Sequence, residues 1–274
     1  MSHSLTMRHL LGVFVLALNL ASPVWAQVTE EAAPPAESAA DVEVQPEAVE
    51  AVNNDPFEGL NRGIYGFNSL LDSYLFRPVA RGYVKVVPSG ARTSVSLFFS
   101  NLFYPKTIVN QFLQGKPREG AADLGRFLIN TTVGLAGLFD PATEMGFVRH
   151  DEDFGQTLGY WGLGSGPYLV LPLLGPSSLR DAPARVVDYP LNPAGHLDDD
   201  DVELALGITS SVSTRANLLS FDRLLEESFD PYAFLREAYL QNRAAAVSDG
   251  KRSHDDLQDY EWTAPRTYQP FSRD

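Results

Sequence analysis

The 274-residue sequence has no cysteine. This absence excludes disulfide bonds, zinc sites with thiolate ligands, cysteine nucleophiles and lipid attachment to cysteine. Histidine is also scarce, since outside the first 26 residues the chain has His150, His196 and His254. The sequence therefore offers few groups for metal binding or for general base catalysis.

The chain also has no apolar run of transmembrane length, which needs about 20 residues. Its most apolar stretch, Leu10–Ala21, follows Arg8 and precedes Val24-Trp25-Ala26, a pattern of small residues typical of a cleavage site. We therefore predict that residues 1–26 are a signal peptide and that the protein is exported. The alternative is a short buried or anchoring helix.

Basic and aromatic residues are absent from the next segment, Gln27–Asn54, which carries seven acidic residues. Such a segment cannot bury enough apolar surface to offset its chain entropy, so residues 27–54 are predicted to be a disordered acidic linker. Polar and charged residues also dominate the end of the chain, where residues 248–274 are predicted to form a flexible tail.

The formal net charge is −14 and is unevenly distributed. Residues 57–126 contain nine Lys/Arg against four Asp/Glu, whereas residues 127–274 contain eleven against twenty-three. The acidic total argues against a nucleic-acid partner. The basic first half suits an anionic lipid surface, although charges that merely solvate helix faces give the same pattern.

Proline, aspartate and glycine divide residues 55–247 into a series of short amphipathic helices. Asp55 and Pro56 read as a helix start, and apolar residues then recur from Phe57 at helical spacing. Helices are predicted over 57–74, 78–86, 89–103, 105–114, 117–133, 177–188 with Ser177 as cap, 200–218, 221–228 and 231–247. Tyr168–Leu174 is the one strand candidate, so the predicted fold class is all-α.

Catalytic motifs are not evident. Gly162-Leu163-Gly164-Ser165-Gly166 approaches the G-x-S-x-G elbow of hydrolases, but the glycine two residues before Ser165 is missing and Pro167 blocks a following helix. His196 before Asp198–Asp201 matches no metal-binding spacing and favours a solvated helix start. His150, before three acidic residues, is interpreted as a surface residue at an acidic helix N-terminus.

Several motifs, in order, resemble the MlaA/VacJ family. They are DPFEGLNRGIYGFN (55–68), RPVARGY (77–83), NQFLQGKP (110–117), RFLINTTVGLAGLFDPA (126–142), FGQTLGYWGLGSGPYLVLPLLGPSSLRD (154–181) and DPYAFLREAYLQNR (230–243). The resemblance covers about 55–247. It implies a ring-like bundle of short amphipathic helices with a glycine-rich hairpin-like insertion, embedded in the membrane interface.

The resemblance also implies a function without covalent chemistry, metal or cofactor. Such proteins remove mislocalised phospholipids from the outer leaflet of the outer membrane through an amphipathic channel. The implied partners are phospholipids, a periplasmic MlaC-like carrier, a trimeric outer-membrane porin and, indirectly, an inner-membrane ABC transporter complex. The implied location is the periplasmic side of the outer membrane. Family members are usually lipoproteins, and the missing cysteine argues against lipid anchoring here.

Two groups of site residues follow as expectations. The candidates for the lipid channel or its gate are Phe67, Asn68, Gly134, Gly137, Tyr160, Trp161, Gly164, Gly166 and Tyr168. The candidates for headgroup contact are Arg62, Arg77, Arg81 and Arg92. The region from about Gly134 to Gly175 corresponds to the family's hairpin-like element at the channel.

Two other functions are left open by the sequence. One is a secreted lipid or cell-wall hydrolase, for which Ser165, Ser177, Ser178 and His150 are the local candidates. The other is a structural porin-accessory protein of the envelope that carries no lipid flux.

Overall fold

A computed structural model of the protein describes residues 55–249. The predicted signal peptide, the acidic linker and the tail beyond Asp249 lie outside these residues. Within them the chain is predominantly helical, as predicted from the sequence.

Six helices and a π-helical segment precede the glycine-rich region. They are α1 (Glu58–Leu71), the π-helical segment (Asp72–Phe76), α2 (Arg77–Val86), α3 (Ser89–Leu102), α4 (Pro105–Leu113), α5 (Pro117–Thr132) and α6 (Pro141–Glu144). Pro78, Pro105 and Pro117 stand in the first turns of α2, α4 and α5, where a missing N–H costs nothing. The predicted helices over these ranges are confirmed, and α6 is an addition.

A helix, a two-stranded hairpin and a second helical series follow. They are α7 (Phe154–Tyr160), β1 (Tyr168–Leu171), β2 (Gly175–Ser178), α8 (Asp181–Asp188), two 3-10 turns (Tyr189–Leu191 and Pro193–His196), α9 (Asp200–Asn217), a 3-10 turn (Leu218–Phe221), α10 (Asp222–Glu227) and α11 (Pro231–Val247). The side chains of Asp199 and Asp230 cap α9 and α11, as their positions in the sequence predict.

Two predicted helix caps are wrong. Ser177 does not open a helix, because it lies in β2 opposite Leu169 and is fully buried. Asp55 is also buried, and its carboxylate accepts hydrogen bonds from Asn61 (2.7 Å) and from the hydroxyl of Tyr232 instead of capping α1. Pairing of Ser177 with Leu169 across the hairpin and of Asp55 with Tyr232 on α11 decides their places, and helical spacing in the sequence does not reveal these contacts.

The hairpin β1–β2 rests on α1 through two asparagines. Asn61 donates to the carbonyl oxygen of Tyr168 (3.0 Å) and accepts from the N–H of Val170 (2.9 Å). Two helical turns later, Asn68 donates to the carbonyl of Leu171 (2.9 Å). Seven helical residues and three strand residues both span about 10 Å, so the spacing of the two amides matches that of their partners along β1.

The hairpin and the last described helix, α11, share the buried core. The N-terminus of α11 also contacts α1. Tyr168, Val170, Tyr232 and Tyr239 form one buried cluster in which the tyrosine rings meet edge to face or tilted. At its edge Arg62 of α1 makes a bidentate pair with Asp230 at 2.6 and 3.2 Å. The first and last helices of the described chain are therefore joined directly.

A buried ion network fastens α11 to the helices around the hairpin. Arg243 is 6% exposed and donates to both oxygens of Asp153 at 2.6 Å and to Asp181 at 2.8 Å. Asp181 also accepts from Arg180 and from the hydroxyl of Tyr239. Burial disfavours the charge of Asp153, yet the attraction of Arg243 holds its pKa far below the usual range.

Large apolar side chains remain exposed along α1, α2, α5 and the loop that follows α5. Val86, Val133, Leu135, Phe139 and Met145 are each more than half exposed. Among residues 55–249 there is no helix whose length and hydropathy would let it cross a membrane.

Candidate functional site

A cavity lies between the hairpin and two groups of helices. Its volume is about 450 Å³, within the range of small-molecule sites. The walls come from α1, the π-helical segment, the hairpin turn, the end of α9, α10 and the start of α11. Most lining side chains are apolar, for example Leu71, Phe76, Val170, Leu225 and Phe234.

Charged side chains are concentrated on one part of this lining. Arg215 binds Asp72 through Nε (2.6 Å) and Nη2 (2.9 Å), and its Nη2 also binds Asp222 (2.7 Å). Arg77 reaches Glu226 through Nη1 at 2.7 Å. We call these residues, together with Arg81, the charge cluster. Burial lowers the pKa of Arg215, but the hydrogen bonds that it donates to Asp72 and Asp222 raise this pKa on balance.

One carboxylate oxygen of the charge cluster is incompletely satisfied. Asp222 is 6% exposed, and its Oδ2 has no hydrogen-bond partner among residues 55–249. Two guanidinium groups form ion pairs with it without a hydrogen bond, Arg77 at 3.4 Å and Arg81 at 3.9 Å. These ion pairs compensate the buried charge, and the exposed members of the charge cluster that a ligand can reach are Glu226 and Arg81.

The turn of the hairpin forms another wall of the cavity. Leu173 and Leu174 line it, and Leu173 has φ +66°, a left-handed conformation that leucine rarely adopts. Asn68 supports this turn because its Oδ1 accepts the N–H of Leu173 at 2.8 Å. The cavity is thus amphipathic, with apolar walls, a charged portion and a strained turn at its edge.

Comparison with known protein families identifies the family to which this chain belongs. A family model described as MlaA lipoprotein matches residues 53–246, which is well over half of the chain. The chain belongs to the MlaA family. The resemblance predicted from the separate motifs is thereby confirmed.

Related proteins agree with this family assignment. The chain is 39% identical over 206 residues to the intermembrane phospholipid transport system lipoprotein MlaA of Escherichia coli (strain K12), covering 72% of this chain and 80% of that protein. It is 40% identical over 195 residues to an uncharacterised protein of Rickettsia bellii, covering 70% and 76%. A solved structure described as the structural basis for maintenance of bacterial outer membrane lipid asymmetry matches with a TM-score of 0.63 and 38% identity, covering 70% of this chain and 98% of that one.

The channel and gate candidates of this MlaA family member lie in different places. Asn68 lines the cavity, and Phe67 beside it is half exposed. Tyr168 is fully buried in the core, and its hydroxyl has no hydrogen-bond partner in the described chain. Gly164 and Gly166 lie in the exposed loop that leads into β1.

Tyr160 and Trp161, at the end of α7, face the region of α4 instead of the cavity. Trp161 donates its indole N–H to the carbonyl of Leu113 at 3.1 Å, and Lys116 lies 5.1 Å from the ring centroid of Tyr160. Both aromatic side chains are about half exposed. The glycine-rich stretch therefore begins as a helix, and its strands form only from residue 168 onward.

Gly134 and Gly137 stabilise a separate tight loop after α5. A Cβ on Gly134 would lie 2.4 Å from the carbonyl oxygen of Asn130, and one on Gly137 would lie 2.4 Å from the Cβ of Asn101. Gly137 has φ +89°, which favours glycine. The region from Gly134 to Gly175 is thus not one hairpin, because it contains this loop, α6, α7 and β1.

The headgroup candidates also lie in different places relative to the cavity. Arg77 lines the cavity, and Arg81 reaches its charge cluster. Arg62 instead binds Glu58 and Asp230 outside the cavity and lies 4.4 Å from the ring centroid of Tyr232.

The remaining headgroup candidate, Arg92, is not among the residues that line the cavity. It is half-buried, and its Nε has no hydrogen-bond partner in the described part of the chain.

Other parts of the cavity lining escaped the sequence analysis. The charged residues that the sequence did not single out are Asp72, Arg215, Asp222 and Glu226.

His150 is partly exposed, in keeping with its interpretation as a surface residue, but its ring is also held by a buried carboxylate. Its Nδ1 lies 2.9 Å from Oδ1 of the fully buried Asp123, which also accepts from the hydroxyl of Tyr104 (2.7 Å). This bond to Asp123 raises the pKa of His150 despite partial burial. The residues after His150 do not form a helix until α7, whose cap is Asp153.

The hydrolase alternative gains no support from these positions. Ser165 bonds the carbonyl of Gly166, Ser178 accepts from the N–H of Asp181, and Ser177 is buried in β2. Among the described residues, none of these hydroxyls is hydrogen-bonded to His150. A nucleophile paired with a base is therefore missing from the local candidates.

Proposed function

We propose that this protein takes up mislocalised phospholipids from the outer leaflet of the outer membrane and passes them through its amphipathic cavity toward the periplasm. The observation that carries the proposal is the cavity itself, which combines apolar walls with the charge cluster. The assigned family and the phospholipid transport named for the Escherichia coli relative support it.

The physical task explains why such a cavity is useful. A phospholipid headgroup is charged, and moving a charge into an apolar medium without partners is very costly. The charge cluster supplies such partners, while Leu71, Phe76 and Val170 offer an apolar surface to the acyl chains. The protein therefore lowers the barrier by binding both parts of the lipid, without making or breaking a covalent bond.

The proposed location is the periplasmic side of the outer membrane. The exposed apolar side chains of α1, α2, α5 and the loop after α5 suit insertion into the membrane interface, where apolar area contributes to binding. Within this proposal the hairpin turn acts as a gate, since Leu173 and Asn68 both border the cavity.

The proposed partners follow from the transport task. A lipid leaving the cavity needs a periplasmic carrier of the MlaC type, and an inner-membrane ABC transporter complex would complete its return. A trimeric porin would hold the protein in the outer membrane. The multi-component phospholipid transport system named for the relative supports this arrangement.

Blocking the cavity tests the proposal. Thr214 lines the cavity from α9, and Thr214→Trp is expected to abolish the removal of outer-leaflet phospholipid. The measurement is the amount of radiolabelled phospholipid that added phospholipase cleaves on intact cells of a deletion strain complemented with each variant. Thr209 is exposed on the same helix, so Thr209→Trp is the matched control.

The outcomes separate the proposal from its alternatives. Full function of Thr214→Trp, folded and present at the normal level, would reject transport through the cavity. An unchanged outer leaflet in the deletion strain would favour the structural porin-accessory role. Loss of function in His150→Ala with release of fatty acid by the wild type would favour the hydrolase.

A further inference from the structure

The charge cluster contains equal numbers of acidic and basic side chains. Three carboxylates and three guanidinium groups are linked in a chain of ion pairs, and the two partners of each pair lie within 4 Å. They are Asp72, Asp222 and Glu226 with Arg77, Arg81 and Arg215. A ligand that carries one charge of each sign can enter such a cluster without leaving an excess of either sign.

The two sides of the charge cluster are not equally engaged. Arg215 makes three short bonds to Asp72 and Asp222, and this part holds α9 to the π-helical segment and α10. The other side is looser, because the side chain of Glu226 is 60% exposed and that of Arg81 is 62% exposed. These looser groups are accessible to a ligand.

Oδ2 of Asp222 lies between the two sides and is not accessible, since it is buried and forms ion pairs with Arg77 at 3.4 Å and with Arg81 at 3.9 Å. The exposed carboxylate of the charge cluster is that of Glu226, which pairs with Arg77 at 2.7 Å. An alkylammonium group has three N–H donors, and so it can bind the carboxylate of Glu226 through a charge-assisted hydrogen bond. A phosphate has only acceptors to offer to Arg77 and Arg81.

Building on the proposed function, we infer that the charge cluster selects phospholipids whose headgroup is zwitterionic and carries a primary ammonium group. The phosphate faces Arg77 and Arg81, and the ammonium faces Glu226. The apolar walls of the same cavity commit the ligand to a lipid, in preference to a soluble phosphate ester. The clearest representative of this class is phosphatidylethanolamine.

An anionic headgroup without a cation fits less well. It would add a net negative charge to a cluster whose charges balance, and it has no ammonium group for the exposed carboxylate of Glu226. Phosphatidylglycerol is such a lipid, and it shares the phosphate and the acyl chains with phosphatidylethanolamine. Comparison of these two lipids therefore isolates the ammonium group.

The experiment measures transfer of each labelled lipid from donor to acceptor vesicles by the purified protein. The wild type is expected to transfer phosphatidylethanolamine faster, and Glu226→Gln to lower that rate about threefold or more while leaving phosphatidylglycerol transfer nearly unchanged. Glu227 is the adjacent residue and pairs with Arg223, so Glu227→Gln is the matched control and is expected to leave both rates unchanged.

A second variant keeps the test decisive if the first one folds poorly. Glu226→Lys is expected to reverse the preference toward phosphatidylglycerol, a gain that misfolding cannot produce. Soluble phosphoethanolamine, added at the headgroup concentration of the vesicles, is expected not to compete. Competition by it would overturn the assignment to a lipid.

Two failures are distinguishable. Equal effects of Glu226→Gln on both lipids, or a wild type that transfers both at the same rate, would overturn the headgroup inference and leave the transport function standing. A wild type that transfers neither lipid would count against the proposed function itself.

Discussion

Asn68 holds Leu173 in a left-handed conformation at the edge of the cavity. The amide oxygen of Asn68 accepts the backbone N–H of Leu173 at 2.8 Å, and its NH₂ group donates to the carbonyl of Leu171 at 2.9 Å. One side chain thus satisfies both ends of the turn between β1 and β2. The strain of Leu173, about 1–2 kcal/mol for an L-residue in this region, persists because of this support.

Removal of that support should loosen the hairpin turn. Asn68→Ala leaves two backbone groups without partners and is expected to lower the free energy of unfolding by about 1–3 kcal/mol. Amide hydrogen exchange should accelerate at Leu173 more than in the core strand residue Val170. Asn217→Ala is the control, because Asn217 is exposed and bonds Ser96. Unchanged exchange at Leu173 in Asn68→Ala would contradict this account of the turn.

Two glycines on either side of α6 allow backbone strain to be separated from steric overlap. Gly137 and Gly146 have φ values of +89° and +86°, but an added Cβ meets Asn101 at 2.4 Å only in the first case and nothing within 4 Å in the second. Gly146→Ala should therefore cost about 1 kcal/mol, whereas Gly137→Ala should cost about 3 kcal/mol. Urea unfolding of the two variants checks this, and equal losses would show that Asn101 moves aside.

The ion network of α11 should be among the most sensitive parts of the fold. Arg243→Met leaves the buried carboxylates of Asp153 and Asp181 without their main partner, which is expected to cost about 3–5 kcal/mol. Arg223 is 83% exposed and touches Glu227 at 4.0 Å, so Arg223→Met should change stability by less than about 0.5 kcal/mol. Thermal unfolding of both variants provides the measurement. Similar melting temperatures for the two would argue that α11 is held by its tyrosines alone.

His150 gives the stability a pH dependence of defined sign. Because the hydrogen bond to Asp123 raises the folded-state pKa of His150 above its usual 6.5, the contribution is complete below pH 6.5 and is lost as pH rises through the folded-state pKa. The side chain is one-third exposed, so the loss should stay below about 1 kcal/mol. Denaturant unfolding at about pH 5.5 and about pH 8.5 should show it in the wild type and not in His150→Asn. A free energy of unfolding that is higher at the upper pH than at the lower pH would refute the assignment.

The sequence predicted the helices because their starts carry local chemical signals. Pro105, Pro117 and Asp230 stand where a helix start needs them, and the apolar spacing supplies the rest. The strand β2 carries no such signal, since Gly175 and Pro176 disfavour regular strands and their place is set by pairing with β1.

The charge cluster had even less local signal. Asp72 and Arg215 are 143 positions apart, and each alone is an ordinary charge on a helix. The family resemblance directed attention to arginines and to the glycine-rich stretch. The carboxylates to which we attribute headgroup selection come together only in the folded structure, so the sequence does not indicate them.

The bond between Asp55 and Tyr232 spans 177 positions of the chain and joins the two ends of the described residues. Until α11 has been synthesised, Asp55 lacks its hydroxyl partner and Tyr168 lacks the rings of Tyr232 and Tyr239, so the buried cluster cannot form. Contacts of such long range are entropically costly to form and slow to find. Closure of the core is therefore expected to be a late event that waits for the last described helix.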